Sequence, residues 1–174
     1  MPGSIGVDCF RDRNRVRMIS LFRIDDRLIH GQVVLGWGSV LKPGRIIVAD
    51  DEVASNEWER RLYVSAAPAE VKVSILSLVA AAQQLKSGIF DSEKVILLVR
   101  HPRSVIVLMD LGFPVSEVNV GGLHYREGRK KVLEHVYLDA EERTIMRELV
   151  KRGVALDGRA LPGSRSVTLN SLVV

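Results

Sequence analysis

Lys94–Pro102 reads KVILLVRHP and decides the class of fold. Its apolar residues, Val95–Val99, are consecutive, which is typical of a β-strand covered on both faces. Pro102 suits the first turn of a helix and Gly112 suits its end, so a helix is predicted over Pro102–Leu111. A doubly buried strand that runs almost directly into a helix indicates an α/β protein with a parallel sheet.

The same alternation of apolar runs and helical periods extends outward in both directions. Strands are predicted at Ile19–Ile24, Arg45–Ala49, Val71–Leu76, Lys94–Val99, Val118–Val120, Val136–Leu138 and, more weakly, Val154–Leu161. Helices are predicted at Gln32–Leu41, Asn56–Ala66, Leu78–Lys86, Pro102–Leu111 and Ala140–Arg152. The last helix is well signposted, since Asp139 and Glu142 are spaced as a capping box and Gly153 follows its end. The prediction is an α/β fold: a single domain with a doubly wound, mostly parallel sheet and helices on both faces.

Composition and charge exclude several classes of protein. Hydrophobic residues make up 47% of the chain, yet no apolar run approaches the roughly 18 residues of a membrane helix. The single cysteine, Cys9, excludes an internal disulfide framework and argues against a cysteine-based zinc site. The net charge is +4, and residues 1–17 hold four arginines against two aspartates. We interpret residues 1–17 as a leader that is disordered or precedes a natural start at Met18, and residues 18–174 as a soluble, intracellular domain.

Arg23–Val33 reads RIDDRLIHGQV and is the segment richest in reactive side chains. It falls at the turn from the first strand into the first helix, on the edge of the sheet where ligands bind in this class of fold. The imidazole of His30 is an available nucleophile near pH 7. Arg27 and the amides that open the helix would stabilise charge on a transferring phosphoryl group, while Asp25 would orient either side chain. Gly31 permits a tight turn.

This segment also has a plainer interpretation. Its charged residues can form a solvated or self-paired surface cluster, in which His30 is a helix-start residue with a satisfied hydrogen bond. Because a single histidine near charges is a weak motif, composition alone favours that interpretation.

Other candidate sites are weaker. Gly121-Gly122 can form a phosphate-binding nest, a close contact or an ordinary turn. Asp50–Glu52 can bind Mg²⁺, but a solvated strand end explains it better. His101, His124 and His135 lack the spacing of metal ligands and are interpreted as structural; only His124 follows a strand end closely enough to line a site. No metal site is predicted.

The segment RIDDRLIHGQV resembles the active-site signature of IIB components of the mannose/fructose/sorbose class, which belong to the bacterial phosphoenolpyruvate-dependent sugar phosphotransferase system (PTS). The likeness extends over nearly everything from Met18 onward. Further matches are Trp37, Ile46–Ala54, Ala66–Pro68, Asn119–Gly122 and Val136–Leu138.

This resemblance implies a mechanism and a set of partners. A IIA phosphohistidine would pass its phosphoryl group to His30, at Nδ1, and the IIB domain would pass it to a sugar held by the membrane subunits IIC and IID. Arg27 matches the arginine that steadies the phosphoryl group. The other residues of the implied active-site loop are Asp25, Asp26, Gly31, Gln32, Gly121 and Gly122. The resemblance implies no metal, no other cofactor and no nucleic acid. It implies a cytoplasmic protein that is bound to the inner face of the membrane through the transporter subunits.

The chain departs from the family pattern in two places. Residues 1–17 lie outside the pattern, and Leu123–Tyr125 replace the methionine and small or polar residue that more often follow the two glycines. Substrate preference or partner choice can therefore differ from that of other members of the family.

Two alternatives to the transport function remain. One is a phosphorylation-state regulator that uses the same histidine, and the other is a non-catalytic nucleotide-binding module that binds phosphate at Gly121-Gly122. The sequence identifies neither the sugar nor the oligomeric state, and it is compatible with a homo-oligomer.

Overall fold

The computed structural model of the chain describes residues 19–173, so the predictions for residues 1–17 and Met18 lie outside the described residues. The strands are β1 Ile19–Asp25, β2 Arg45–Ala49, β3 Lys72–Leu76, β4 Val95–Val99, β5 Glu117–Gly122, β6 Lys130–Leu133, β7 Val136–Leu138 and β8 Ala155–Asp157. Six of them form a parallel sheet in the order β3-β2-β4-β1-β5-β8, while β6 and β7 pair as a separate antiparallel hairpin.

Helices pack on both faces of the sheet. They are a π-helix Gln32–Trp37, α1 Gly38–Leu41, α2 Asp51–Ser55, α3 Glu57–Ala66, α4 Leu78–Ser87, α5 Pro102–Asp110, α6 Ala140–Lys151 and α7 Asn170–Val173. One hydrophobic core lies between the sheet and α4 to α7, and a second lies between the opposite face and the π-helix, α2 and α3. The doubly wound sheet with helices on both faces is thereby confirmed.

The signals at the helix ends are confirmed as well. The Asp139 carboxylate accepts a hydrogen bond from the Glu142 amide at 2.8 Å, and the Glu142 carboxylate accepts one from the Asp139 amide at 3.0 Å. Gly112 and Gly153 follow α5 and α6 with φ of 82° and 86°, a backbone conformation that glycine adopts without strain.

Three elements differ from their prediction. The segment predicted as one α-helix over Gln32–Leu41 opens as a π-helix. Val136–Leu138 is a strand, but it pairs with the unpredicted β6 outside the parallel sheet. β8 is shorter than Val154–Leu161 because the chain folds back after Asp157, where the Gly158 amide donates to the Val167 carbonyl oxygen at 2.7 Å.

The strand order places β1 at the point where the winding of the sheet reverses. β1 lies between β4 and β5, and the chain reaches β4 only after it has built β2 and β3 on the far side. In open α/β sheets the crevice at the carboxyl ends of such strands is where ligands bind. The turn after Asp25 lies at the carboxyl end of β1, on that edge of the sheet. Within residues 19–173, no helix has the length and apolar character needed to cross a membrane.

Candidate functional site

The turn after β1 is built around Asp25. Its carboxylate accepts a hydrogen bond from the Arg27 amide and its carbonyl oxygen accepts one from the Leu28 amide, both at 3.1 Å. Leu28 has φ of 54°, a left-handed conformation that costs a branched residue free energy. Full burial of Leu28, together with burial of Ile29, offsets this cost. The chain therefore presents His30 immediately after two buried anchors.

The imidazole of His30 is mostly buried, with 16% of the side chain exposed. Its Nδ1 lies 2.9 Å from the carbonyl oxygen of Leu28. Because a carbonyl oxygen only accepts hydrogen bonds, Nδ1 is the donor in this contact. Nε2 is buried 3.7 Å from Oδ2 of Asp25 and has no hydrogen-bond partner among the described residues. The ring must therefore turn before Nδ1, the atom implied by the family resemblance, can act as a nucleophile.

Arg23 and Asp25 form a fully buried ion pair behind His30. Nε and Nη2 of Arg23 donate to Oδ2 of Asp25 at 3.1 and 2.9 Å, and neither side chain is exposed. Burial lowers the pKa of the Arg23 guanidinium, while the charge and hydrogen bonds of Asp25 oppose that shift. The interpretation of these residues as a solvated cluster is wrong, whereas self-pairing is confirmed for these two residues.

Gln32 joins the exposed Arg27 to this buried pair. Its side-chain oxygen Oε1 accepts from Nη2 of Arg27 at 3.2 Å and from Nη2 of Arg23 at 3.4 Å. Nε of Arg27 lies 3.8 Å from Oδ1 of Asp25, and 43% of the Arg27 side chain is exposed. Within residues 19–173, the backbone amides of Gly31 and Gln32 meet no hydrogen-bond acceptor. The Arg27 guanidinium is therefore accessible to an anion that approaches the turn.

Gly121 and Gly122 end β5 and form neither a turn nor a nest; the close contact is what the structure shows. A Cβ atom on Gly121 would lie 1.7 Å from Cζ of Arg23, and one on Gly122 would lie 3.1 Å from the Asp25 carboxylate oxygens. Glycine at both positions lets the side chains of the buried ion pair pack directly on the backbone of β5.

A second polar network holds Asp26 from the other side. Its carboxylate lies 2.6 Å from Nδ1 of His124 and 3.6 Å from Nη1 of Arg129. Arg129 is buried and donates from Nε and Nη2 to Glu142 at 2.9 and 2.5 Å. Burial alone would raise the pKa of Glu142, but hydrogen bonds from His101 and Arg129 outweigh it and lower the pKa to about 2. His124, interpreted from the sequence as structural but near enough to a strand end to line a site, contacts Asp26 in the turn after β1.

Sequence reasoning missed several residues that support the site. From the sequence, Arg23 is one member of a charged cluster, Asn119 is part of a match to the family pattern, and no role is predicted for Arg129. The available signal for Arg23 was its position on an apolar strand two residues before Asp25, which puts both charges on one face of the sheet.

Asp50 and Asp51 serve as helix caps. The Asp50 carboxylate accepts from the Val53 amide at 2.9 Å and begins α2, while Asp51 accepts from the Leu78 amide at 2.8 Å and steadies the start of α4. Within residues 19–173, no group of three His, Cys, Asp or Glu side chains is arranged to hold a metal ion. At this strand end, backbone amides thus bind Asp50 and Asp51, and Arg100 binds Glu52 at 3.5 Å.

We therefore expect Asp50→Ala to lower the free energy of unfolding by about 1 kcal/mol, through loss of the cap. Asp50→Asn keeps the capping oxygen and should cost much less. Urea unfolding of the three proteins, with and without Mg²⁺, measures both effects. A midpoint that rises with Mg²⁺ in the wild type but not in Asp50→Ala would instead support a cation site.

The turn at the carboxyl end of β1 thus carries an imidazole and an exposed arginine that both lie within 4 Å of the Asp25 carboxylate, a combination compatible with phosphoryl transfer. Comparison with known proteins supports this class. The family described as "PTS system sorbose subfamily IIB component" matches residues 19–174. The sorbose-specific EIIB component of Klebsiella pneumoniae is 38% identical over 151 residues, which cover 87% of this chain and 92% of that protein. The fructose-specific EIIB component of Bacillus subtilis is 34% identical over 148 residues, 85% and 91% of the two chains.

One solved structure and one longer relative agree with these matches. The crystal structure of the IIBSor domain of the K. pneumoniae sorbose permease superposes with a TM-score of 0.83 at 36% identity, covering 90% of this chain and 96% of that one. The mannose-specific EIIAB component of Escherichia coli is 32% identical over 160 residues, which cover 92% of this chain and 50% of that longer protein.

The chain belongs to the sorbose subfamily of PTS IIB components. It is a phosphotransferase, because IIB components take a phosphoryl group from a IIA component and pass it to a sugar. The relatives favour neither a separate regulatory role nor a non-catalytic nucleotide-binding module.

Proposed function

We propose that His30 is the residue that accepts the phosphoryl group and that Arg27 stabilises the group in transit. The observation that carries this proposal is that His30 and Arg27 share the turn at the carboxyl end of β1, where the buried Asp25 accepts from the Arg27 amide and lies 3.7 Å from Nε2 of His30. The donor is a phosphohistidine of IIA. A lone pair of His30 attacks the phosphorus, the phosphorus–nitrogen bond of the donor breaks, and its electron pair returns to the donor imidazole.

The proposed transfer begins with a rearrangement of the His30 ring. Nδ1 leaves the Leu28 carbonyl oxygen and passes its proton to water, while Nε2 takes up a proton from water, so that the ring changes tautomer with no net change in charge. Asp25, whose Oδ2 is already 3.7 Å from Nε2, then accepts a hydrogen bond from it and fixes the ring. The guanidinium of Arg27 neutralises charge on the phosphoryl oxygens, so neither step requires a metal ion.

The proposed partners follow from the family. IIA supplies the phosphoryl group, and the membrane subunits IIC and IID present the sugar, so the protein acts in the cytoplasm at the membrane face. The relatives are named for sorbose, fructose and mannose, and we propose that the acceptor is a hexose of this kind.

The test is ³¹P NMR of the full chain after incubation with phosphoenolpyruvate and catalytic amounts of enzyme I, HPr and its IIA component, and after separation from these donor proteins, which carry phosphohistidine themselves. We expect a phosphohistidine signal in the wild type and no detectable signal in His30→Ala, because no other group can replace the imidazole nucleophile. His101→Gln is the matched control, since His101 caps α5 outside the turn, and it should keep the signal. A folded wild type without a signal, or a His30→Ala variant that retains it, would contradict the proposal.

A further inference from the structure

We propose that Arg23 is a positioning residue for this transfer: it touches neither the phosphoryl group nor a partner, but fixes Asp25 against His30 and, through Gln32, fixes Arg27. This inference rests on the proposed function of His30 and Arg27. Arg23 has no exposed surface, so its effect on a reacting group is transmitted only through the side chains it holds.

The first arm of this arrangement runs from Arg23 to the imidazole. Two nitrogens of its guanidinium, Nε and Nη2, bind the same oxygen of Asp25, Oδ2, which is also the atom nearest to Nε2 of His30. The other oxygen, Oδ1, accepts from the Arg27 amide. Both oxygens are thereby held, and the carboxylate faces the imidazole in a single orientation.

The second arm runs from Arg23 to Arg27. One amide oxygen, Oε1 of Gln32, accepts from both guanidinium groups, at 3.4 Å from Arg23 and 3.2 Å from Arg27. An exposed arginine ordinarily samples many rotamers, and restricting it costs side-chain entropy. Here the restriction is built in before a phosphoryl group arrives, because the acceptor that holds Arg27 is itself held by a buried group.

The guanidinium of Arg23 is itself held in place by its other contacts. Nη1 donates to Oδ1 of Asn119 at 2.7 Å and to the carbonyl oxygen of Ala160 at 3.1 Å, and the group packs on Gly121. Asn119 is fixed in turn by its donation to the carbonyl oxygen of Arg159 at 2.9 Å. The group that orients the site is thus tied to β5 and to the loop after β8.

The experiment compares Arg23→Met with Arg45→Met in steady-state phosphoryl transfer from phosphorylated IIA. Arg45 is the matched control: it is 17% exposed, lies at the opposite end of the sheet and pairs with Glu93 at 2.6 Å. We expect Arg23→Met to lower kcat roughly 10- to 100-fold with little change in KM for phosphorylated IIA, because reacting groups lose their alignment while the contact surface is intact. Arg45→Met should leave both constants near the wild-type values.

A second variant and a second readout keep the proposal open to refutation if Arg23→Met does not fold. Gln32→Met removes the shared acceptor while Arg23 and Asp25 stay paired, and it should lower kcat without raising KM. The His30 ring ¹⁵N resonances should shift in Arg23→Met and not in Arg45→Met, with no phosphoryl donor present. Unchanged kcat in folded Arg23→Met or in Gln32→Met, or equal losses in Arg23→Met and Arg45→Met, would overturn the proposal. Absence of wild-type phosphorylation would instead refute the function proposed for His30, while the ring resonances would still test the role of Arg23.

Discussion

Alanine at position 121 is expected to lower the free energy of unfolding by about 3 kcal/mol or more, or to prevent folding, although it adds only one methyl group. The added Cβ would stand 1.7 Å from Cζ and 2.1 Å from Nε and Nη1 of Arg23. Those distances are far below contact, and the obstructing group is fully buried. Either β5 or the guanidinium must move.

Both movements cost free energy. β5 is hydrogen-bonded on both sides, to β1 and β8, so a shift of its backbone breaks ladder contacts. A shift of Arg23 breaks its bonds to Asp25 and Asn119 and leaves a buried carboxylate without its partner. Breaking a buried ion pair from one side typically costs about 3–5 kcal/mol, which is why a single methyl group has so large an expected effect.

The matched control is Gly31→Ala. Gly31 has φ of −51° and nothing within 4 Å of the position of a Cβ atom, so alanine fits without strain. We expect its stability to change by less than about 1 kcal/mol, in the stabilising direction. Urea unfolding monitored by circular dichroism measures both variants. Equal stabilities for Gly121→Ala and the wild type would show that Arg23 does not occupy the space above β5.

The strand–helix alternation was sufficient to predict the sheet. Val95–Val99 is apolar at every position because β4 lies inside the sheet with a core on each face, and the same reasoning located β1 and β2. The capping box at Asp139 was equally readable, because its donors and acceptors lie within three residues. Local signals of this kind are predictable from sequence because they do not depend on distant residues.

The supporting shell of the site could not be predicted in the same way. Arg129 and Glu142 are 13 residues apart, and Arg23 meets Asn119 across 96 residues, so neither contact leaves a local pattern. Charged residues are usually exposed, and burial of Arg23 becomes plausible only when its carboxylate, amide and carbonyl partners are known together. The two glycines of β5 illustrate the same limit, since their role depends on a side chain from another strand.

The π-helix is a further element whose structure differs from the prediction. The apolar period over Gln32–Leu41 is that of a helix and does not report its hydrogen-bond register. π-Helical turns are rare and are frequently found at functional sites. Here the π-helix begins at Gln32, the residue that joins Arg23 to Arg27, and Gly31 is the one residue between it and His30.

Glu142→Gln is expected to lower the free energy of unfolding at neutral pH by about 3 kcal/mol, because it removes the carboxylate charge to which the buried Arg129 donates two hydrogen bonds, while its other acidic contact, Asp26, is 3.6 Å away. The substitution is nearly isosteric, and glutamine can still accept from the Asp139 amide in a capping box, so the start of α6 is preserved. The effect therefore isolates the charge. Glu141→Gln is the matched control: Glu141 pairs with Arg103, but both side chains are more than half exposed, and its loss should cost less than about 1 kcal/mol.

The pH dependence of these variants supplies an independent check. The pKa of Glu142 is about 2 in the folded protein against an ordinary value of 4.5. A lowered folded-state pKa stabilises the fold above the unfolded pKa, and this stabilisation is lost as the pH falls from 4.5 through 2. The wild type should therefore lose about 3 kcal/mol from this group over that range, a loss that Glu142→Gln cannot show. The stability difference between the two proteins should be largest above pH 4.5 and should shrink steadily below it. A difference that stays constant down to pH 2 would mean that Glu142 carries no charge-dependent contact with Arg129, and the second network would then not hold Asp26 in the way the geometry indicates.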